Sequence, residues 1–408
     1  MTRHRRRITA GDKGFPTEAI GLTIADYLAT SPTIDTWSTP LVLLHQGLME
    51  QNADTLQRWA DMYGFEYMPH GKTTMAPALW WHQINLGATG ITLATPSHLR
   101  VAHAHGIPQV QLANALLDPG ALLWAQERVE NGWELWVWAD SEAVIDHMET
   151  VLGPRSHRIG VLVERGTTGG RTGARTHNQA QSIAQRISMS RSVDLVGVAG
   201  YEGAAGHSRS GADIDAVRRY CDELVHLFDL VHDQCAQPRP VLSAGGSAYP
   251  DIVADAFADL RQRSPLARLV LRSGAALTHD DGFYAGISPL ATSDNPYRLP
   301  ALYAATRGRA RVVSRPEPGL AILDAGKRDL PYDEGLPHAV GFSAHVSAMN
   351  DQHAFLRGSF PDDAVQVGDC IDLGLSHPCT TFDKWRLIPA VASWDSDAPV
   401  VDVVETYF

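Results

Sequence analysis

The sequence contains no apolar run that approaches the ~20 residues needed for a membrane-spanning helix, and no charged-then-apolar leader of the kind that directs secretion. It is also short of basic residues, since 34 Lys and Arg stand against 46 Asp and Glu and give a net charge of -12. A nucleic-acid interface needs clustered Lys and Arg. The one basic cluster, Arg3–Arg7, is expected to be a solvated tail. These absences predict a cytoplasmic protein with no membrane or nucleic-acid partner.

Cysteine is scarce as well. The four residues, Cys221, Cys235, Cys370 and Cys379, form no CxxC pair and no regular framework, so disulfides are not expected in the reducing compartment suggested above. Three of them are interpreted as buried thiols, and Cys379 is considered below. With 44% hydrophobic and 20% charged residues among 408, the chain has the composition of a soluble globular protein, and it is long enough for two domains.

Short apolar runs alternate with segments of helical periodicity through the middle of the chain. Eight such runs favour a parallel (β/α)8 barrel of the TIM type over an open sheet, and we assign residues 45–285 to this α/β barrel. The eight predicted strands are Phe65–Met68, Ile91–Ala94, Val110–Leu112, Leu135–Trp138, Ile159–Val163, Leu195–Ala199, Val241–Ser243 and Leu269–Leu271. The segments Pro96–His105, Ala121–Val129 and Ala212–Val231 are among the predicted helices.

The pattern of apolar and polar residues changes after residue 285. Strand-like runs separated by Gly, Pro and Asp predict an all-β domain over residues 286–408. These runs are Arg309–Val313, Leu320–Leu323, Ala339–Val346, His353–Leu356 and Cys370–Leu373. Leu41–Leu44 is another strand candidate that precedes the barrel. We therefore expect residues 1–44 to complete the C-terminal β domain.

Catalytic side chains of a parallel barrel come from the C-terminal ends of its strands, and the polar, glycine-rich segments of this sequence fall there. Lys72 follows the first strand in the segment Pro69-His70-Gly71-Lys72-Thr73. A lysine that forms a Schiff base must be rigidly placed and partly desolvated, so that a neutral amine is available as nucleophile. A solvated surface lysine is the alternative, and position alone does not decide between the two.

A second rim segment, Ser243-Ala244-Gly245-Gly246-Ser247, has the features of a phosphate cup, and Gly274 follows the next strand. Glycines allow close approach of the backbone, amide N–H groups bind the anion, and a hydroxyl adds a donor. TIM-type barrels often bind phosphate in the loops after their seventh and eighth strands. A plain strand-to-helix turn is the alternative for either loop taken alone.

His377-Pro378-Cys379 places an imidazole and a thiol two residues apart. On an extended segment, residues i and i+2 point to the same side, and both groups suit Zn²⁺. A third and a fourth ligand are not visible in the sequence, so water and substrate would complete the shell. A loop histidine beside a buried cysteine is the alternative.

Five segments in order carry a resemblance to a known family. They are Pro69-His70-Gly71-Lys72-Thr73, Gly170-Arg171-Thr172-Gly173, Gly200-Tyr201-Glu202-Gly203, Ser243-Ala244-Gly245-Gly246-Ser247 and His377-Pro378-Cys379. The chain resembles the D-serine dehydratase and D-threonine aldolase family from about residue 40 onward. The resemblance implies a pyridoxal 5'-phosphate (PLP) enzyme that acts on a small D-amino acid and has the alanine racemase-like fold, known as fold type III.

The resemblance also implies roles for individual residues. Lys72 corresponds to the Schiff-base lysine, Arg171 to the arginine that faces the phenolic oxygen of the cofactor, and Tyr201 to the tyrosine motif of the cofactor pocket. The rest of the expected cofactor-binding set is His70, Ser243, Gly245, Gly246, Ser247 and Gly274. His377 and Cys379 correspond to a divalent-metal pair, with Zn²⁺ expected and Mn²⁺ or Mg²⁺ as alternatives. A homodimer is implied, with the active site between one barrel and the β domain of the other subunit.

Two positions depart from the family pattern. Aldolase-like members often have a histidine directly after the Tyr-acid-Gly motif, where this chain has Ala204 and only a displaced His207; the eighth-strand loop often has a tyrosine where Ala275 and Ala276 stand. The missing histidine favours dehydration of a D-serine-like substrate to a keto acid and ammonia. Cleavage of the D-threonine aldolase type, to glycine and an aldehyde, is the alternative.

Two other classes stay open at this stage. An amino-acid racemase would need a second base opposite Lys72, for which Tyr303 and Tyr332 are the candidates. A non-catalytic PLP carrier would have no use for a β domain with metal ligands.

Overall fold

The computed structural model describes residues 5–360 and 365–408, which form an eight-stranded parallel sheet and a nine-stranded mixed sheet. Arg3 of the basic cluster lies outside the described residues. The cluster was expected to be a solvated tail, but Arg6 is held in place, because its guanidinium pairs with Asp12 at 2.6 Å and with Glu405 at 2.7 Å. None of the helices in these two ranges has the length and apolarity required to cross a bilayer.

The first strand, Leu41–His45 (β1), belongs to the mixed sheet, and the chain then enters the parallel sheet. That sheet has the order β2-β9-β8-β7-β6-β5-β4-β3, and a bridge between His70 and Thr92 joins its two edges. Its strands are β2 (Glu66–Tyr67), β3 (Ile91–Leu93), β4 (Gln109–Leu112), β5 (Glu134–Ala139), β6 (Ile159–Arg165), β7 (Val193–Gly200), β8 (Val241–Ala244) and β9 (Arg268–Leu271). The predicted TIM-type class of this part of the fold is confirmed.

Helices cover the outside of the parallel sheet. The larger ones are Gln46–Met62, Pro77–Leu86, Pro96–Ala104, Pro119–Glu130, Glu142–Leu152, His177–Ser188, Gly211–Val231, Pro250–Ala256 and Ala258–Arg263. Their starts are encoded locally: Thr95, Asp118 and Thr176 each accept a hydrogen bond from the backbone N–H three residues on. Because both faces of the sheet are covered, its strands are mostly buried, and all seven residues of β6 are buried, the charged Glu164 and Arg165 included.

The mixed sheet is the β domain. Its order is β11-β14-β13-β12-β15-β10-β1-β16-β17, and a further pairing of β11 with β10 closes part of it on itself. The strands are β10 (Thr306–Glu317), β11 (Leu320–Leu323), β12 (His338–Ala339), β13 (Ala344–Met349), β14 (Ala354–Gly358), β15 (Cys370–Gly374), β16 (Leu387–Val391) and β17 (Val400–Glu405). The structure thus places β1 in the β domain, antiparallel to β10 and parallel to β16. Fold class and architecture agree with the prediction of an alanine racemase-like fold.

Two details of the β domain differ from the sequence prediction. Ala339–Val346 is not one strand, because a turn at Gly341, with φ 93°, separates β12 from β13. Strands β16 and β17 lie beyond the runs identified from the sequence.

The barrel and the β domain pack directly against each other. Met49 and Ala53, from the helix Gln46–Met62, contribute to the hydrophobic core of the β domain together with Leu277 from the end of the barrel. The short helices Phe283–Ile287 and Cys379–Phe382 lie where the two parts meet. This packing brings loops of the β domain to the C-terminal ends of the barrel strands.

Candidate active site

A cavity of about 160 Å³ opens at the C-terminal ends of the parallel strands, against the roughly 10–15 Å³ that one water molecule requires. The structure brings most of the predicted site residues to it. The predicted residues that line it are His70, Lys72, Arg171, Tyr201, Gly246, Ser247, Gly274, His377 and Cys379, and the others are Thr73, Ala113, Trp138, Arg272, Ala275 and Tyr284. Ser243 and Gly245 are buried beside the cavity without lining it.

Lys72 lies on a short 3-10 helix, Gly71–Thr73, directly after β2. This turn is wedged into the barrel: a side chain at Gly71 would come within 2.7 Å of both Ile91 and Trp80, and the Trp80 indole N–H donates to the Gly71 carbonyl at 3.1 Å. Burial lowers the pKa of the Lys72 amine, the charge of Cys379 opposes that shift, and Arg171 reinforces it. The amine is therefore rigidly held and loses its proton more readily than an ordinary lysine.

Arg171 projects from the glycine-rich loop after β6, and its guanidinium lies 4.7 Å from the centre of the Tyr201 ring. The loop is tied down by Arg175, which donates to the carbonyls of Gly170 at 2.9 Å, Thr172 at 3.0 Å and Gly173 at 2.7 Å. Arg171 is thus presented to the cavity by a fixed backbone.

The predicted phosphate cup needs a correction. The N–H groups of Gly245 and Gly246 donate to the buried carboxylate of Glu202, at 3.0 and 2.6 Å. These two amides therefore do not point at an anion in the cavity. The Ser243 hydroxyl is likewise engaged inside the barrel with Gln111 and Arg272, at 2.9 and 2.8 Å.

Ser247 and the loop after β9 form the remaining polar end of the cavity. The Ser247 hydroxyl accepts from the Ala275 N–H at 3.1 Å and so joins the two loops. Gly274 is packed so closely that a side chain there would come within 2.4 Å of the His70 carbonyl. Glycine at this position lets the backbone itself form the cavity wall.

Arg272 and Trp138 were not predicted as site residues, although Arg272 stands in a rim segment directly after the eighth strand. Arg272 is fully buried, its guanidinium lies 5.0 Å from the Trp138 ring centre, and burial lowers its pKa to about 10. Among the described residues, the Trp138 indole nitrogen and Nδ1 of His70 are buried and have no protein hydrogen-bond partner.

His377 and Cys379, the predicted metal pair, both line the cavity, but they do not lie on the extended segment considered above. The segment is not extended: His377 has φ 59°, in the left-handed region, and Cys379 begins a short helix. The turn nevertheless brings the two side chains together. Burial raises the pKa of the Cys379 thiol, but its hydrogen bond with His377 lowers it overall. Burial alone would lower the pKa of His377, whereas Cys379 and Asp333 raise it to about 9.

The pair is held against the lysine loop of the same chain. The Cys379 sulfur lies 3.4 Å from the Thr73 hydroxyl, next to Lys72. One chain therefore supplies both sides of this contact. In residues 5–360 and 365–408, no three His, Cys, Asp or Glu side chains are placed to hold a metal together. A metal here would have two protein ligands, an imidazole and a thiolate, which suit Zn²⁺ and leave positions open for substrate.

Other residues singled out from the sequence lie farther out. Tyr303 and Tyr332 are 44% and 47% exposed and do not line the cavity; Tyr284, which was not predicted, does. His207 lines an adjoining chamber that shares Tyr201 and His377 with the cavity. The displaced histidine is thus beside the site but not in it.

The site fits the cofactor of the fold. A partly desolvated lysine, the Ser247 hydroxyl and a backbone wall at Gly274 are compatible with PLP, the cofactor that the resemblance implies.

Comparison with known proteins shows which proteins the chain is similar to. Residues 305–391 match the "Putative serine dehydratase domain". The chain is 25% identical over 350 residues to a D-threonine aldolase of an Arthrobacter species, covering 85% of this chain and 86% of that protein. The crystal structure of D-threonine aldolase from Filomicrobium marinum superposes with a TM-score of 0.81 at 21% identity, covering 92% and 96% of the two chains. The predicted resemblance to the D-serine dehydratase and D-threonine aldolase family is confirmed.

A third similar structure is D-threo-3-hydroxyaspartate dehydratase from Delftia sp. HT23, with a TM-score of 0.72 at 19% identity, covering 92% and 99% of the two chains. Two mutants of a D-threo-3-hydroxyaspartate dehydratase have also been solved. One replaces a cysteine by alanine and is in the metal-free form; the other replaces a histidine two positions earlier.

Proposed function

We propose that this protein is a PLP- and metal-dependent lyase that dehydrates small D-β-hydroxy amino acids to a keto acid and ammonia. The observation that carries the proposal is the meeting of Lys72 with His377 and Cys379 in one cavity. A lysine suits chemistry at the α-carbon, whereas a metal held by a histidine and a cysteine suits chemistry at a hydroxyl on the β-carbon. The two mutants of a hydroxyaspartate dehydratase support the metal part of the proposal, because they replace a histidine and a cysteine at the same spacing as His377 and Cys379.

PLP would be held by Lys72, with Arg171 at its phenolic oxygen and Ser247 and Gly274 at its phosphate, and when bound it supplies an electron sink at the α-carbon. A divalent metal, most simply Zn²⁺, would be held by His377 and Cys379 and supplies Lewis acidity toward the β-hydroxyl. Lys72 would also be the base that takes the α-proton, because its amine lines the cavity in which the substrate would bind. Tyr201, whose ring lies 4.7 Å from the Arg171 guanidinium and forms part of the cavity wall, would line the cofactor pocket.

Cleavage between the α- and β-carbons, as in the D-threonine aldolases, is the second candidate, and the 25% identity to such an enzyme favours it. Both reactions would use the same lysine and metal. Dehydration begins with removal of the α-proton, whereas cleavage begins with removal of the proton on the β-hydroxyl. An aldolase needs a base for the β-hydroxyl, and His207, which is displaced from the position where aldolase-like members often carry a histidine, stands in the adjoining chamber. That placement favours dehydration.

The test is a product assay of purified protein with D-serine, D-threonine and D-threo-3-hydroxyaspartate, with ammonia and aldehyde measured separately. The proposal requires ammonia and keto acid in equal amounts. Aldehyde and glycine in place of ammonia would transfer the protein to the aldolases, and interconversion of D- and L-isomers would transfer it to the racemases. A homodimer remains a prediction, to be checked by light scattering.

A further inference from the structure

His377 is held from two directions by carboxylates that the predicted site did not include. Asp280 accepts the backbone N–H of His377 at 2.8 Å and also the N–H groups of Gly282, Tyr284 and Ala285. Asp333 contacts the other side of the residue, with Oδ2 at 2.6 Å from Nδ1 of the imidazole. The first contact fixes the backbone of the turn, and the second binds the imidazole ring.

Asp333 is itself fixed. Its second oxygen, Oδ1, accepts the hydroxyl hydrogen of Thr380 at 2.7 Å, so the two oxygens bind two residues of the same turn. Asp333 is a partly exposed aspartate whose two oxygens face the Thr380 hydroxyl and the His377 ring. An ionised aspartate can only accept hydrogen bonds.

An acceptor at Nδ1 decides which ring nitrogen is free. Because Asp333 can only accept, Nδ1 must carry the hydrogen in this contact, and in the neutral ring Nε2 then keeps its lone pair. Nε2 is on the opposite edge of the ring from Asp333, and His377 lines the cavity with Cys379. The carboxylate lies behind the ring and is not placed as a third metal ligand within the described part of the chain.

We propose that Asp333 is the positioning residue that makes Nε2 of His377 the metal-binding nitrogen and sets the orientation of its ring. The inference rests on the proposed function, since it presupposes that His377 and Cys379 hold a metal. Carboxylate–histidine contacts of this kind fix the tautomer of a metal ligand and raise its basicity, and their loss usually costs roughly 10–100-fold in metal affinity.

The test measures zinc affinity by competition with a chromophoric chelator, on PLP-loaded protein. Asp333→Leu, which keeps the shape but removes the acceptor, should bind zinc roughly 10–100-fold more weakly. Asp333→Asn, whose amide oxygen still accepts from Nδ1, should stay much closer to the unmodified protein. Asp351→Leu is the matched control, because Asp351 is an exposed carboxylate of the same domain, paired only at the surface with Arg328. PLP absorbance should be the same in all of them.

A second measurement uses the unmodified protein and does not depend on how a variant folds. With ¹¹³Cd²⁺ as the probe, NMR of ¹⁵N-histidine-labelled protein should show coupling of the metal to Nε2 of His377, with the hydrogen on Nδ1. Coupling to Nδ1, or zinc affinity of Asp333→Leu equal to that of the control, would overturn the positioning role. If the unmodified protein binds no zinc, or if the His377→Ala variant binds zinc with the same affinity as the unmodified protein, the metal site of the proposed function is refuted instead.

Discussion

Lys72 is one of only four lysines in the chain, the others being Lys13, Lys327 and Lys384. A purified protein with absorbance near ~420 nm would show a lysine-bound PLP, and with so few lysines its position can be established without ambiguity. Borohydride reduction followed by peptide mass spectrometry should place the cofactor on Lys72.

Replacing that lysine gives the first prediction. Lys72→Ala should lose the absorbance near ~420 nm and all turnover, because the variant has neither the amine that binds the aldehyde nor the base at the α-carbon. Lys327→Ala, at an exposed position, is the control and should keep both. A Lys72→Ala protein that stays yellow and active would exclude the assignment.

The metal pair gives the second prediction. Exhaustive chelation, with loss of metal verified by elemental analysis, should abolish ammonia release by much more than the roughly 10–100-fold seen when only supporting contacts are lost. The absorbance near ~420 nm should persist, since PLP is attached through Lys72. Cys379→Ser should behave like the chelated enzyme and Cys235→Ser like the unmodified one. Full activity of a demonstrably metal-free protein would rule out the metal.

At the scale of the element, the turn that carries His377 depends on a carboxylate from the end of the barrel. Asp280 is 2% exposed and accepts four backbone N–H groups, three of them at the start of the helix Phe283–Ile287. One side chain therefore ties a barrel loop, a helix and the metal-pair turn together.

Removing Asp280 gives the third prediction. An N–H left without an acceptor costs roughly 1–3 kcal/mol, so Asp280→Ala, which leaves four, should lower the free energy of unfolding by at least ~3 kcal/mol even if water replaces part of the contacts. Asp280→Asn retains one acceptor and should lose less. Urea unfolding of the PLP-loaded protein measures the change. Asp259→Ala, at an exposed ion pair with Arg263, should stay within about 0.5 kcal/mol, and an Asp280→Ala midpoint equal to that control would refute the argument.

The elements were predictable where periodicity is strong. The barrel strands are apolar runs because they are covered on both faces, and each predicted run overlaps an observed strand. Half-exposed strands of the β domain carry a weaker signal, and the turn at Gly341 divides a run that looked continuous. The ends of strands near such turns depend on the backbone conformation, and a pattern of apolar residues carries no information about that conformation.

The site was predictable in its residues and less so in its contacts. Glycine-rich strand ends located Lys72 and Arg171, whereas the engagement of Gly245 and Gly246 by Glu202 depends on a side chain from the loop after a neighbouring strand. Asp333 is 44 residues from His377 and Asp280 is 97. Contacts at such separations arise from the packing of the two domains, and neither aspartate lies in a motif that would have indicated it.

At the scale of the whole molecule, the two domains together determine which enantiomer fits, and this is the fourth prediction. The barrel fixes Lys72 and the β domain fixes the metal pair, so an L-substrate that kept its carboxylate and β-hydroxyl contacts would turn its α-hydrogen away from the lysine. Loss of a positioned base costs ~10²–10⁴-fold in rate. The kcat/KM of D-serine should exceed that of L-serine by such a factor, and D-threonine should likewise exceed L-threonine. Equal values within each pair would contradict the assigned arrangement.

Strand β1 is paired with β10 on one side and with β16 on the other, and the entire barrel lies between it and these partners along the chain. While the protein is being made on the ribosome, the apolar segment Leu41–Leu44 emerges long before any residue it can pair with. The barrel is contiguous and can close first, but the unpaired strand is then a ready template for association with another nascent chain. Chaperone binding should therefore be concentrated in the interval between completion of β9 and the emergence of β16.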